Sequence, residues 1–230
     1  MKPWLTERWC LPPAADADFV WHREEVLDVY TRPYDPCRPQ RCLDEASRQL
    51  LGDVTPPLPV APGHPAREDY EYVRGGVCNC FLVCEPLRGR RHVTVSDRRT
   101  RIDFAHCLKD LADLHYPEAE VLVLVLDNLN THTPASLYEA FTPAEAKRLA
   151  DKFEFHYTPQ HGSWLNMAEI ELGLLARQCL DRRLPDKATL AREVAAWEAA
   201  RNQDGRAIRW RFTTADARIK LRHLYPSLEA

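Results

Sequence analysis

The segment VLVLVLDNLNTH, residues 121–132, carries six aliphatic side chains straight into a carboxylate, Asp127. A charge at the tip of a buried strand is costly unless it is paired or set against a cation. The alternative is a turn or cap residue before the asparagines. Two further acidic positions could join it. CLDE places Asp44 in the middle or at the end of an earlier strand, and HGSWLNMAEIELGLL carries Glu169 and Glu171 on a helix. At about 100° per residue these two glutamates point to nearly opposite sides, so at most one faces a common site. Glu169 shares its side with Leu165, Asn166, Leu172 and Gly173; Glu171 goes with Met167, Ala168, Leu174 and Leu175, a core or subunit-contact pattern. The helical wheel leaves the choice open. Carboxylates from two strands and a helix are hard oxygen donors, the set suited to Mg2+ or Mn2+. Two such ions about 4 Å apart activate an attacking oxygen and stabilise a leaving one, the chemistry of a nuclease, polynucleotidyl transferase or phosphatase.

The elements that must position these residues are legible from periodicity. Residues 1–39 read as a lead-in, with a proline-rich leader, a short amphipathic helix in DFVWHREEVLDVY capped by Asp18, and an extended linker. Residues 40–230 read as one domain. It opens with a strand, PQRCLDEASRQLLG, and a proline-studded loop to Pro65. Two or three antiparallel strands follow, punctuated at Gly75-Gly76 and Arg88-Gly89. Next come a helix over RIDFAHCLKDLADLHYP and a strand buried on both faces over residues 121–126. ASLYEAF and TPAEAKRLADKF read as helices, the second with Thr142, Pro143 and Glu145 as a capping box. A short strand, EFHYTP, precedes helices over SWLNMAEIELGLLARQCL, DKATLAREVAAWEAARNQ and TADARIKLRHLYP. This order predicts an α/β fold with a mixed sheet covered by helices.

At 230 residues the chain suits one domain with a full core. No apolar run reaches the ~20 residues that cross a bilayer, and MKPWLTERWC lacks a signal-peptide core. The expected location is therefore cytoplasmic, with no membrane partner. Eight cysteines in such a chain are expected as free thiols. Cys78, Cys80 and Cys84 are spaced C-x-C-x3-C and alternate on one strand face, which favours packing over zinc. The net charge of -3 does not advertise a nucleic-acid partner. The runs RGRRH, DRRTR and RWRF read as solvated hairpin or helix ends, so DNA binding has to be argued from elsewhere.

The blocks LDEASRQLLGD, VLVLDNLNTH and EFHYTPQHGSWLNMAEIELGLLARQCLDRR, in that order, resemble the catalytic half of bacterial insertion-sequence transposases. The branch is the insertion-sequence six-thirty family of the Tc/mariner superfamily of DDE enzymes, and the resemblance spans residues 2–226. It implies a ribonuclease-H-like, five-stranded mixed sheet flanked by helices. It also implies a catalytic and metal-binding triad of Asp44, Asp127 and Glu169, the family motif LN-x-x-E selecting Glu169 over Glu171. Two Mg2+ or Mn2+ ions, one on Asp44 and Asp127 and one on Asp44 and Glu169, would serve strand cleavage and strand transfer. The DNA partners would be the element ends and target DNA, in this superfamily usually a TA dinucleotide. His132, His161 and Asn166 would lie at the rim, able to touch DNA phosphate. Glu45 reads as a supporting group or, preferably, a solvent-facing neighbour, Trp164 as a core residue or helix anchor in preference to a base-stacking one, and Trp197 and Trp210 as packing. Members of the family carry an N-terminal pair of helix-turn-helix modules, and no recognition helix is legible here. The binding half is then expected as a separate or frameshift-fused partner, or the chain as a remnant, with a homodimer as a further expectation. Two rival readings are a silent, inhibitory fragment that acts by dimerisation and a metal-dependent nuclease on the same fold.

Overall fold

A sheet with apolar residues at both parities must be covered on both sides, and the burial along the chain's strands has that form. The computed structural model describes residues 16–226. The leader read in residues 1–15 lies outside them. The elements are α1 (Ala17–Thr31), β1 (Gln40–Asp53), β2 (Tyr72–Glu85), β3 (Arg90–Ser96), α2 (Arg101–Asp110) with a π turn (Leu111–His115), and β4 (Leu122–Leu126). They continue with α3 (Ala135–Ala140), α4 (Pro143–Asp151), β5 (Phe153–Tyr157), a 3-10 turn (Ser163–Leu165), α5 (Met167–Gln178), α6 (Lys187–Asp204) and α7 (Thr214–Lys220). The sheet order is β3-β2-β1-β4-β5. β1 is antiparallel to β2 and β2 to β3, whereas β4 runs parallel to both β1 and β5.

One face carries Cys42, Cys78, Cys80, Leu82, Cys84, Val123 and Val125, packed against α1, α5 and α6. The other carries Leu43, Phe81, Val83, Leu122, Leu124 and Leu126 under α2, α3 and α4. The cysteines are thus core residues with free thiols, as their alternation predicts. Trp197 is buried, and Trp210 packs against the same core. Trp164 is more open, its ring edge-on to Phe212.

Several local readings are corrected. Helix α1 is not a lead-in: Val26, Leu27 and Val29 are fully buried in the core. Its cap is Asp16, not Asp18, because the Asp16 carboxylate accepts the N–H groups of Asp18 and Phe19. Gly75-Gly76 is no turn. The β1–β2 ladder runs through it with a bulge at Leu50/Leu51, and Gly76 takes φ +101 to absorb the irregularity. Gly75 is needed for space, since a Cβ there would stand 2.3 Å from the Pro185 carbonyl oxygen. Thr142 makes no side-chain cap to α4, because Glu145 is drawn to Arg148 and Lys109 instead. No helix of the described residues is long and apolar enough to cross a membrane.

Candidate active site

The parallel register sets the site. Gln40, Arg41 and Cys42 lie opposite Val123, Leu124 and Val125. Asp44 lies two residues beyond Cys42 and Asp127 two beyond Val125, at the same end of the paired segment, and Asp44 senses the Asp127 charge. Asp44 shares parity with Cys42, and Asp127 with Val125, so both belong to the face covered by α5. There β4 ends at Leu126 while β1 continues to Asp53.

Helix α5 brings the third carboxylate. Asn166 is its N-cap: the side-chain oxygen accepts the N–H of Ala168 at 3.1 Å. Its Nδ2 donates to the Leu43 carbonyl at 2.8 Å and reaches Asp44 Oδ2 at 3.5 Å. One amide therefore ties the start of α5 to β1 beside Asp44. Glu169 follows in the first helical turn, exposed, where the helix dipole favours a carboxylate. Tyr30 holds the preceding turn by donating to the Leu165 carbonyl at 2.7 Å.

The electrostatics are those of an acidic corner short of cations. Burial pushes Asp44 from 3.8 up to about 7; the Glu45 amide pulls the other way, and the charges of Asp127, Glu169 and Glu45 add to the rise. Asp127 differs. Burial would raise it, but the bond and charge of His132, the Leu129 amide and Arg99 outweigh that and hold it below the ordinary range. His132 is fully buried, with Nδ1 at 2.5 Å from Asp127 Oδ1. Its Nε2 lies 2.8 Å from Glu45 Oε2, a short charge contact poorly aligned for a hydrogen bond. Burial alone would lower His132; the two carboxylates push it up to about 9.

These positions revise the sequence expectations. His132 and Asn166 are both wholly buried, so neither offers a surface to DNA. They organise carboxylates instead. Glu45 is not a solvent-facing neighbour, since its side chain is only 3% exposed. His161 does sit exposed at the rim, in a turn with φ +63. It lines a cleft with Asp127, Asn128, Leu129, Thr158, Pro159 and Gln160, at the C-terminal ends of the parallel strands β4 and β5. Open α/β sheets commonly bind ligands at that end. Glu171 turns away and is spent on Arg91, at 2.6 and 2.8 Å.

The donor set fits divalent cations of the hard, oxygen-seeking kind. Asp44, Asp127 and Glu169 are oxygen donors, the last two close enough to Asp44 for each to disfavour its charge. Among the described residues, no three His, Cys, Asp or Glu side chains already stand in ligand geometry around one point. The fit rests on donor chemistry and on the missing positive charge.

A mixed sheet with one acidic group within its central strand, a second just past the end of the parallel strand beside it and a third on the adjacent helix defines the ribonuclease-H-like class. Residues 39–191 match the DDE superfamily endonuclease family, and the chain belongs to it. By sequence alone, no curated protein matches. Solved structures with this fold include a pre-cleavage Mos1 transpososome, at 13% identity and TM-score 0.60, covering 97% of this chain and 67% of that one. A Mos1 mariner paired end complex with Mn matches at 15% identity and TM-score 0.57, covering 87% of this chain and 61% of that one. A Mos1 strand transfer complex matches at 13% identity and TM-score 0.58, covering 85% and 58%. The chain thus spans about three-fifths of the length of those proteins.

Proposed function

We propose that this domain is the catalytic half of a Tc/mariner-type transposase, which cuts DNA at element ends and joins the freed 3'-OH to target DNA, with TA as the expected target step. The observation that carries the reading is the cation-deficient corner of Asp44, Asp127 and Glu169 inside the region matching the DDE endonuclease family. Asp44 and Asp127 would share one Mg2+ or Mn2+, and Asp44 and Glu169 a second. The bound ions would supply Lewis-acid activation of the attacking oxygen and stabilisation of the leaving 3'-oxygen. Asn166 keeps α5 and β1 at fixed separation, and the cleft beside Asp127, with His161 at its lip, gives a strand of DNA a place to lie. Recognition of element ends is assigned to a helix-turn-helix half, separate or fused, in keeping with a net charge of -3. The working compartment would be the bacterial cytoplasm.

The test is joining of a short duplex with a free 3'-OH to supercoiled plasmid by the purified chain, with Mg2+ or Mn2+. Joining that disappears in Asp127→Asn and in EDTA is expected. Nicking without joining would favour a simple nuclease, and neither activity in either metal would overturn the reading.

A further inference from the structure

The corner contains two buried polar groups outside the triad, Glu45 and His132. Glu45 follows Asp44 on β1 and therefore points to the opposite face of the sheet, toward Phe81 and Leu43. A glutamate placed there would be an unpaired buried charge. What it meets is His132, carried under the sheet by the loop that follows β4. This ring is closed in by Phe104, whose centroid is 4.7 Å away. Its backbone is fixed by the N–H bond to the Leu129 carbonyl at 2.9 Å. The ring fills the gap left where β4 stops and β1 runs on, and it faces one carboxylate on each side, Glu45 at 2.8 Å and Asp127 at 2.5 Å. Arg99, half exposed, lies 3.9 Å from Glu45, and Asp44 senses the Glu45 charge.

We propose that Glu45 and His132 are positioning residues for Asp127: the pair clamps one carboxylate oxygen, Oδ1, and so presents the other toward the site shared with Asp44 and Glu169. Asp127 stands just past the end of β4, whose last carbonyl, that of Leu126, accepts the Thr158 N–H at 2.9 Å; beside the clamp, its Oδ1 also accepts the Leu129 N–H at 3.4 Å. Without the clamp the carboxylate would rotate about χ1. The inference rests on the transposase reading for its purpose, but the clamp itself can be tested separately. Carboxylate–histidine pairs that orient a metal-binding group typically matter by about 10-fold or more in affinity.

The experiment compares the full chain with Glu45→Leu, Glu45→Gln and His132→Gln. The Asp127 χ1 angle is read by NMR couplings in the metal-free protein, and Mn2+ binding by electron paramagnetic resonance. In the wild type, one Asp127 rotamer is expected. Both Glu45→Leu and His132→Gln should average it and weaken Mn2+ binding by about 10-fold or more, with Glu45→Gln in between because it keeps a polar oxygen toward the ring. If His132→Gln fails to fold, the Glu45 pair decides. A single Asp127 rotamer in Glu45→Leu overturns the clamp. Averaging with unchanged Mn2+ affinity overturns its role at the site. If the wild type binds no Mn2+ at all, the transposase reading fails, whatever the rotamers do.

Discussion

Glu169 and Glu171 stand two residues apart on one helix and have opposite surroundings. Glu171 is 1% exposed and doubly held by Arg91, with Arg201 at 3.3 Å behind it. Arg91 also binds the Arg206 carbonyl, and its backbone exchanges hydrogen bonds with the Asn202 side chain, so β3, α5 and α6 are knitted together. Glu169 is exposed, and the Asp44 carboxylate senses its charge. At the other buried pair in the sheet, Arg41 lies against Glu85 at 3.1 Å and over Tyr116. The difference separates two uses of buried charge. Where cation and anion balance, the group is architecture. Where Asp44, Glu45, Asp127 and Glu169 gather around one buried histidine, with the half-exposed Arg99 as the further cation, negative charge is in excess.

The comparison breaks most visibly if Glu171 is replaced. Glu171→Gln strands Arg91 and Arg201, which should cost ~3–5 kcal/mol and lower Tm by roughly 6–20 °C in a domain of this size, read by thermal denaturation. The matched change at Glu169 should do the reverse: Glu169→Gln leaves Tm nearly unchanged and lowers metal-dependent cleavage at least ~100-fold, read in the plasmid assay. Equal loss of fold in both variants would remove the distinction. Asp44→Asn sharpens it further, since a carboxyl raised from 3.8 to about 7 is a burden on the metal-free fold. The full shift corresponds to ~4 kcal/mol, and with side-chain relaxation a gain of ~1–3 kcal/mol is expected in denaturant titration, together with loss of activity.

The pH dependence has a definite sign. Asp44 and His132 both hold a proton more tightly when folded, at about 7 against 3.8 and about 9 against 6.5. Their contributions are present in full below 3.8 and 6.5 and fade as pH climbs through 7 and 9. Stability of the metal-free protein should therefore fall from pH 5 to 9.5, and added Mg2+ should flatten the curve. The smallest effect is expected at His161. Glycine there relieves a left-handed φ worth ~1 kcal/mol, raising Tm slightly while weakening DNA binding if the ring lines the strand path.

Much of this was legible in the sequence because it is local. The aliphatic run before Asp127, the alternation of Cys78, Cys80 and Cys84, and the LN-x-x-E spacing each lie within a dozen residues. What escaped depends on contacts across the chain. Arg91 and Glu171 are 80 residues apart. No periodicity announces that His132 will fold beneath a strand carrying Glu45. Nor does the sequence announce the burial of Glu45, since the polar Gln40 and Arg41 that precede it on β1 are buried as well. The capping box at Thr142 failed for the complementary reason, that Lys109 and Arg148 outcompeted a local bond for Glu145.

Because β1 meets β4 in parallel, its partner is made only after the crossover through β2, β3 and α2 is complete. The reactive corner then waits further, for α5. A ribosome must translate well past Glu169 before the emerging polypeptide can assemble it.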